Sequence, residues 1–235
     1  MSSNHDSSPR ERRRTAALVV MARHPTPGRV KTRLARGIGA DAACSLHRAF
    51  LADIGARFGS HSELELVWAY EPAGADFATV VGARSPCFAQ EGGELGERMH
   101  NAFRHLLAHR YSRVVMIGAD VPHLADDVVD EALRRLDDVD VVLGPSDDGG
   151  YYLVAMRAAH DIFQTVPMGT DQVLAATLAR IEALNLAVHL LPPTFDIDDI
   201  DDLRRLRRLL DDSVWQQRLP HTARALATVA IPDVE

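Results

Sequence analysis

Apolar and polar positions along the chain alternate between two rhythms, one that suits strands and one that suits helices. Ala16-Ala17-Leu18-Val19-Val20-Met21 is a continuous apolar run opened by Thr15, which reads as a strand buried on both faces. Proline, glycine and cations then predict a loop over residues 23–36. Beyond it Asp41 is expected to cap a helix whose buried stripe is Leu46, Phe50, Ile54 and Phe58. Residues 64–70 read as a second strand, and Met99, Ala102, Phe103, Leu106 and Leu107 as the apolar face of a second helix. Residues 114–117 form an apolar strand that runs into Gly118-Ala119-Asp120. Leu124, Val128, Val129, Ala132, Leu133 and Leu136 mark another helix, and strands are expected at 139–143 and 151–156. The last third repeats the pattern, with a helix over 173–184, a strand over 187–191 and a helix over 200–210 on Leu203, Leu206 and Leu210.

Strands alternating with helices predict a three-layer α/β/α architecture on a mainly parallel, Rossmann-like sheet. Residues 15–230 are expected to form one domain, and residues 1–14 a disordered tail. In such sheets ligands sit beyond the carboxyl ends of the strands. The unusual residues of this chain lie in those loops: Arg23 to Arg33, Asp120, Ser146 to Gly150 and Asp196 to Asp199.

The length of 235 residues, with 46% hydrophobic and 25% charged side chains, is enough for a core of normal size. A net charge of -7 argues against a protein that coats nucleic acid, yet leaves room for a phosphate ligand held by local cations or a carboxylate-bound metal. Cys44 and Cys87 form no C-x-x-C pair, so a reducing, cytoplasmic setting is expected. No apolar run approaches the ~20 residues that span a bilayer, so no membrane partner is expected.

Five stretches carry candidate chemistry. Pro25-Thr26-Pro27-Gly28-Arg29-Val30-Lys31-Thr32-Arg33-Leu34 places three cations after the first strand, where Lys offers a point charge and Arg a bidentate fork to phosphate; the bland reading is a solvated basic loop. The Walker A pattern is absent. Asp120, at a strand end before Val121-Pro122, is a natural metal ligand, its alternative being a helix cap. Asp196-Ile197-Asp198 precedes a helix that Asp199, Asp201 and Asp202 are expected to cap. Asp196 and Asp198 share one side of an extended piece, so either could meet Asp120 across the sheet end. Ser146-Asp147-Asp148-Gly149-Gly150-Tyr151 reads as a hairpin turn whose tip lines a substrate. Glu91 to Met99 is a glycine-rich approach to a helix, where free N–H groups could hold an anion, and Arg98 is more often a surface residue on such a helix. The eleven histidines show no zinc-like spacing, and no G-x-S-x-G elbow marks a hydrolase.

Pro27 to Leu34, Leu95-Gly96-Glu97-Arg98-Met99, Gly118 to Pro122, Leu143-Gly144-Pro145 with Asp147 to Tyr152, and Asp196-Ile197-Asp198 together resemble a bacterial group of glycosyltransferase-like proteins, described as associated with radical-SAM proteins. That group belongs to the nucleotide-diphospho-sugar transferase superfamily, whose fold is GT-A. A more distant similarity runs to the 2-phospholactate guanylyltransferases, through Lys31-Thr32-Arg33-Leu34, Asp148-Gly149-Gly150 and Asp196-Ile197-Asp198. The resemblance implies a metal, Mg²⁺ or Mn²⁺, on Asp120 and Asp198 with Asp196 beside them. It also implies phosphates on Lys31 and Arg33. Arg23, Gly28, Arg29, Leu95, Gly96, Arg98, Asp148, Gly149, Gly150 and Thr170 are the expected substrate contacts. Met21-Ala22-Arg23-His24 replaces the superfamily's glycine-rich turn, Met168-Gly169-Thr170 stands where Trp-Ser-Thr is common, and Asp120 stands alone where Asp-x-Asp is usual.

The expected function is a metal-dependent transferase, with nucleotidyl transfer from an NTP to a phosphorylated small molecule as the first reading. Glycosyl transfer from a sugar nucleotide and non-catalytic nucleotide binding are the alternatives. Expected partners are a nucleotide or sugar nucleotide and a small acceptor, and a homodimer is left open.

Overall fold

A computed structural model describes residues 15–232, and the expected tail over 1–14 lies outside the described residues. A seven-stranded sheet runs through the described chain in the order β3-β2-β1-β4-β6-β5-β7. Its members are β1 (Ala16–Arg23), β2 (Leu64–Glu71), β3 (Cys87–Ala89), β4 (Arg113–Gly118), β5 (Val141–Pro145), β6 (Tyr151–Met156) and β7 (Val188–Leu190). All pairings are parallel except those of β6, which runs antiparallel to both β4 and β5. The Asp147-Asp148-Gly149-Gly150 turn is the cause: it closes β5 and β6 into a hairpin, and Ser146 N–H donates to Gly150 O at 3.0 Å.

Side chains alternate across the pleat, and both faces of β1 are covered. Leu18, Val20 and Ala22 enter one apolar cluster with Leu51, Ile54 and Phe58 of α2 (Ala40–Phe58) and Val129, Ala132 and Leu133 of α5 (Asp126–Arg135). Ala17 and Val19 enter the other, with Met99 and Phe103 of α4 (Leu95–His109) and Ile181 of α6 (Val173–Ala183). The expected three layers follow from this two-sided burial.

Three expectations need correction. Residues 32–36 are not loop but the start of α1 (Thr32–Ile38), a helix with a single buried side chain, Leu34. Asp41 sits in the first turn of α2, whose N-cap is Gly39, so its charge favours the helix dipole without capping it. The unassigned stretches hold α3 (Ala78–Val81), β3, α8 (Ser213–Arg218) and α9 (Pro220–Leu226). No described helix is long and apolar enough to cross a membrane.

A third apolar cluster positions the acidic segment. Leu34 of α1, Leu46 and Phe50 of α2, and Leu203 and Leu206 of α7 (Ile200–Leu209) surround Ile197, and all six are fully buried. Ile197 N–H also donates to Asp120 O at 3.0 Å. Burying Ile197 turns its neighbours Asp196 and Asp198 away from the core, because successive side chains of extended backbone point to opposite sides. As expected, α7 begins with a reciprocal capping box between Asp199 and Asp202. The loop after Asp120 is held from α2, where Arg57 donates to Pro122 O, Leu124 O and the Asp126 carboxylate. Truncating Ile197 removes the pin: Ile197→Ala is expected to cost about 3 kcal/mol, read as a lower urea midpoint at unchanged slope.

Candidate functional site

Strands β2, β1 and β4 end side by side; from β1 the chain builds outward through β2 to β3, then crosses back to place β4 on the other side of β1. Such a switch point opens a crevice at the carboxyl ends of the strands. Two adjoining hollows of about 360 and 410 Å³ lie there, sharing Met21, Arg33, Leu95, Gly118 and Asp198 as common walls.

Lys31 is the centre of the first hollow. Its backbone is left-handed, with φ 48° and ψ 45°, at the residue that caps α1. That conformation costs a non-glycine residue roughly 1 kcal/mol, and it aims the side chain inward. The side chain is only 3% exposed, with Nζ 2.6 Å from Asp120 Oδ1 and 3.2 Å from Asp198 Oδ1. Nζ also donates to Ile197 O. Burial pushes the Asp120 carboxyl up, but Lys31, with His47 and Arg23 behind it, outweighs that and holds it below the ordinary carboxylate value. Arg33 is 68% exposed, and its nearest charge is Asp198 at 3.9 Å, so its guanidinium is available to a ligand. Arg23 and Arg98 both bind the Glu71 carboxylate, the latter at 3.1 Å. Arg98 is therefore half-buried in the cleft wall rather than a free surface residue.

The second hollow is acidic. Asp148, Asp171, Asp196 and Asp198 line it against the single cation Arg33, with Gly150, Thr170 and Tyr151 completing the wall. Asp196 accepts from Ser146 Oγ at 2.8 Å. Burial pushes its carboxyl up to about 7; the Ser146 bond opposes this, and Asp120, Asp148 and Asp198 add to it. Lys31 thus unites Asp120 with Asp198 while Asp196 turns to Ser146. Among the described residues no group of three or more His, Cys, Asp or Glu is placed to hold a metal ion alone.

Four expected contacts line neither hollow: Gly28, Arg29, Gly96 and Gly149. Gly28 has φ +74° inside the turn that Arg29 N–H closes onto Thr26 O at 3.0 Å, which leaves Arg29 exposed. Gly149 has φ +85°, and a Cβ there would stand 2.2 Å from Asp171 O, so this glycine serves close backbone packing. Gly96 borders a separate groove beside Phe163 and Met168. The Gly93 N–H, expected to be free for an anion, is taken by Glu97 Oε2 at 2.8 Å.

Sequence reasoning passed over three residues of the cleft, Glu71, Gln90 and His47. Glu71 ends β2, where that position was the available signal, and Gln90 follows β3, a strand that the pattern did not show. His47 lies one turn before Phe50 on a stripe that reads as pure core. Its Nε2 is 3.0 Å from Arg23 O, and burial, against the pull of Asp120, lowers its pKa below the ordinary value.

The Asp196 shift predicts a pH dependence. An acid that ionises near 7 when folded but near 3.8 when unfolded withdraws stability from the fold as pH rises between those values. In metal-free buffer, Asp196→Asn is therefore expected to melt above wild type at about pH 8, with the gap narrowing at about pH 5. Thermal melts at both values check it.

None of the curated proteins matches the chain. A solved protein from Desulfovibrio desulfuricans G20, provisionally named a nucleotide-diphospho-sugar transferase, is 32% identical with a TM-score of 0.83, over 89% of this chain and 93% of that one. A 4-diphosphocytidyl-2C-methyl-D-erythritol synthase from Anaerococcus prevotii shares the fold at 10% identity and a TM-score of 0.55, over 85% of this chain and 99% of the other. CMP:2-keto-3-deoxy-manno-octonic acid synthetase, solved with CTP, does so at 12% identity and a TM-score of 0.51, over 84% and 98%. These likenesses agree with the α/β fold and the superfamily resemblance read from the motifs. A bacterial family profile covers residues 51–170, and with it the chain belongs to the family described as uncharacterized protein conserved in bacteria, DUF2064.

Proposed function

We infer that the chain is a transferase acting on a nucleotide whose phosphates lie in the cationic hollow, and that its reaction is nucleotidyl transfer from an NTP with release of pyrophosphate. The observation that carries this reading is the convergence of Lys31, Asp120 and Asp198 beside the free guanidinium of Arg33. The likeness to a protein named as a nucleotide-diphospho-sugar transferase and to cytidylyl-transferring folds supports it.

An acceptor phosphate oxygen attacks the α-phosphate. The new oxygen–phosphorus bond forms as the bond to the β-phosphate bridging oxygen breaks, and pyrophosphate carries the electron pair away. No proton needs to move when the acceptor is an ionised phosphate. Lys31 and Arg33 hold the β- and γ-phosphates in line and stabilise the charge that gathers on pyrophosphate. The three N–H of Lys31 already reach Asp120, Asp198 and the Ile197 carbonyl, so a phosphate takes the place of one of these partners rather than adding to them.

The residues fit a divalent cation of one kind. Two carboxylates already share one cationic position, and Mg²⁺ or Mn²⁺ commonly takes one or two protein carboxylates while phosphates and water complete its shell. Asp120 and Asp198 would hold it, and its contribution would be neutralisation of phosphate charge.

A specific observation favours glycosyl transfer as the second reading. The adjoining hollow sets four carboxylates against Arg33 alone, which suits the hydroxyl groups of a sugar, and an acceptor phosphate has only Arg33 to meet it. Products separate the two: pyrophosphate for nucleotidyl transfer, a nucleoside diphosphate for glycosyl transfer.

Arg33 gives the sharper test because it is exposed and supports little of the fold. Arg33→Ala is expected to weaken binding of a Mg²⁺–NTP about tenfold, the loss of one charge-assisted contact, with an unchanged melting temperature. Calorimetric titration measures the first and a thermal melt the second. Equal affinity in the variant and wild type counts against phosphate binding at this position.

A further inference from the structure

We propose that Lys31 holds the place of the divalent cation until a nucleotide arrives, so that metal and phosphate enter the cleft together. This rests on the phosphate-site reading above and deepens it by giving the order in which the site fills.

Of the 26 lysine and arginine residues in the sequence, Lys31 is the only lysine. A chain that uses arginine at every other cationic position keeps an ammonium where the charge is buried. The two groups differ in shape. A guanidinium is a flat fork, whereas an ammonium is a compact point charge with its donors set around one atom. A small divalent cation makes the same demand on its surroundings, because it gathers oxygen atoms around a single centre.

The geometry meets that demand. Nζ stands 2.6 Å from Asp120 Oδ1 and 3.2 Å from Asp198 Oδ1, and Ile197 O accepts from it as well. Every partner is an oxygen. The lysine side chain is 3% exposed, while the two acids are 40% and 41% exposed and line the cleft. Lys31 therefore neutralises the pair from beneath, as a bound cation would. A divalent ion on the same carboxylates would stand against the ammonium and be repelled by it. Among the described residues no third acid, histidine or cysteine is placed to compensate.

A triphosphate removes the conflict. Its oxygens accept the donors of Lys31, the carboxylates pass to the metal, and phosphate and water complete the metal's shell. No acid and no ammonium is left unpaired by the exchange. Each ligand makes room for the other, so their binding is positively coupled, and the coupling is reciprocal.

The test is Mn²⁺ binding without nucleotide, read from the electron paramagnetic resonance of the free ion, to wild type, Lys31→Met and the double variant Lys31→Met/Asp120→Asn. Methionine keeps most of the side-chain length and removes the charge. Mn²⁺ is expected to bind Lys31→Met about tenfold more tightly than wild type, because the repelling cation is gone. The gain is expected to vanish in the double variant, which places it at these carboxylates. A lysine with a structural role alone would give no gain. Equal or weaker Mn²⁺ binding by Lys31→Met overturns the proposal, and so does a gain that survives Asp120→Asn.

The single lysine supplies a second readout that needs no variant, and it decides the matter if Lys31→Met fails to melt cooperatively. Wild type labelled with [¹³C]lysine has one Cε resonance. It is expected to move when Mg²⁺ and tripolyphosphate are added together and to stay in place when tripolyphosphate is added with EDTA. A resonance that moves as far without the metal, or stays in place with both, overturns the proposal. Calorimetry of wild type with Mg²⁺ and tripolyphosphate separates the two levels of failure. No binding there means that the phosphate-site reading has failed and takes the proposal with it, whereas binding that leaves Lys31 on its carboxylates sinks the proposal alone.

Discussion

A buried ammonium shared by two carboxylates is the interaction on which the cleft depends. Lys31, Asp120 and Asp198 come from three segments far apart in the chain, and the lysine, buried between two half-exposed acids, would be costly to bury without them. Removing the lysine would leave two acids facing each other; removing an acid would leave a buried cation short of charge. The cluster therefore fixes where the loop after β1, the end of β4 and the segment before α7 must meet.

The fold's apolar parts serve that meeting. Burying Ile197 turns its two acidic neighbours toward the cleft, and Arg57 ties down the loop that follows Asp120. The left-handed backbone of Lys31 is the local strain in the arrangement. It persists because α1, packed through Leu34 onto α2 and α7, leaves the residue before it no other course.

Much of this was legible in the chain. The apolar run of β1, the four-residue stripe of α2 and the cap at Asp199 each express a local rule, and each stands where the pattern puts it. The loops that carry the cleft were legible too, because α/β sheets bind ligands at strand ends. What escaped was tertiary. Helix α1 has one buried side chain, too few for a period to show, and β3 is three half-buried residues long. Arg98 reads as a surface residue until Glu71 is placed beside it. The glycines at 28, 96 and 149 read as ligand contacts because a glycine kept for a turn or for packing looks the same in sequence as one kept for a phosphate. That Lys31 would be held by the carboxylates, and not stand free in a basic loop, depends on partners more than eighty residues away.

The central claim is that nucleotide phosphates bind at this shared charge, and a crystal structure of the chain with Mg²⁺ and a non-hydrolysable nucleoside triphosphate tests it most directly. The account predicts β- and γ-phosphate oxygens within hydrogen-bonding distance of Lys31 Nζ and the Arg33 guanidinium. A triphosphate bound elsewhere, with Lys31 touching only Asp120 and Asp198, would contradict it.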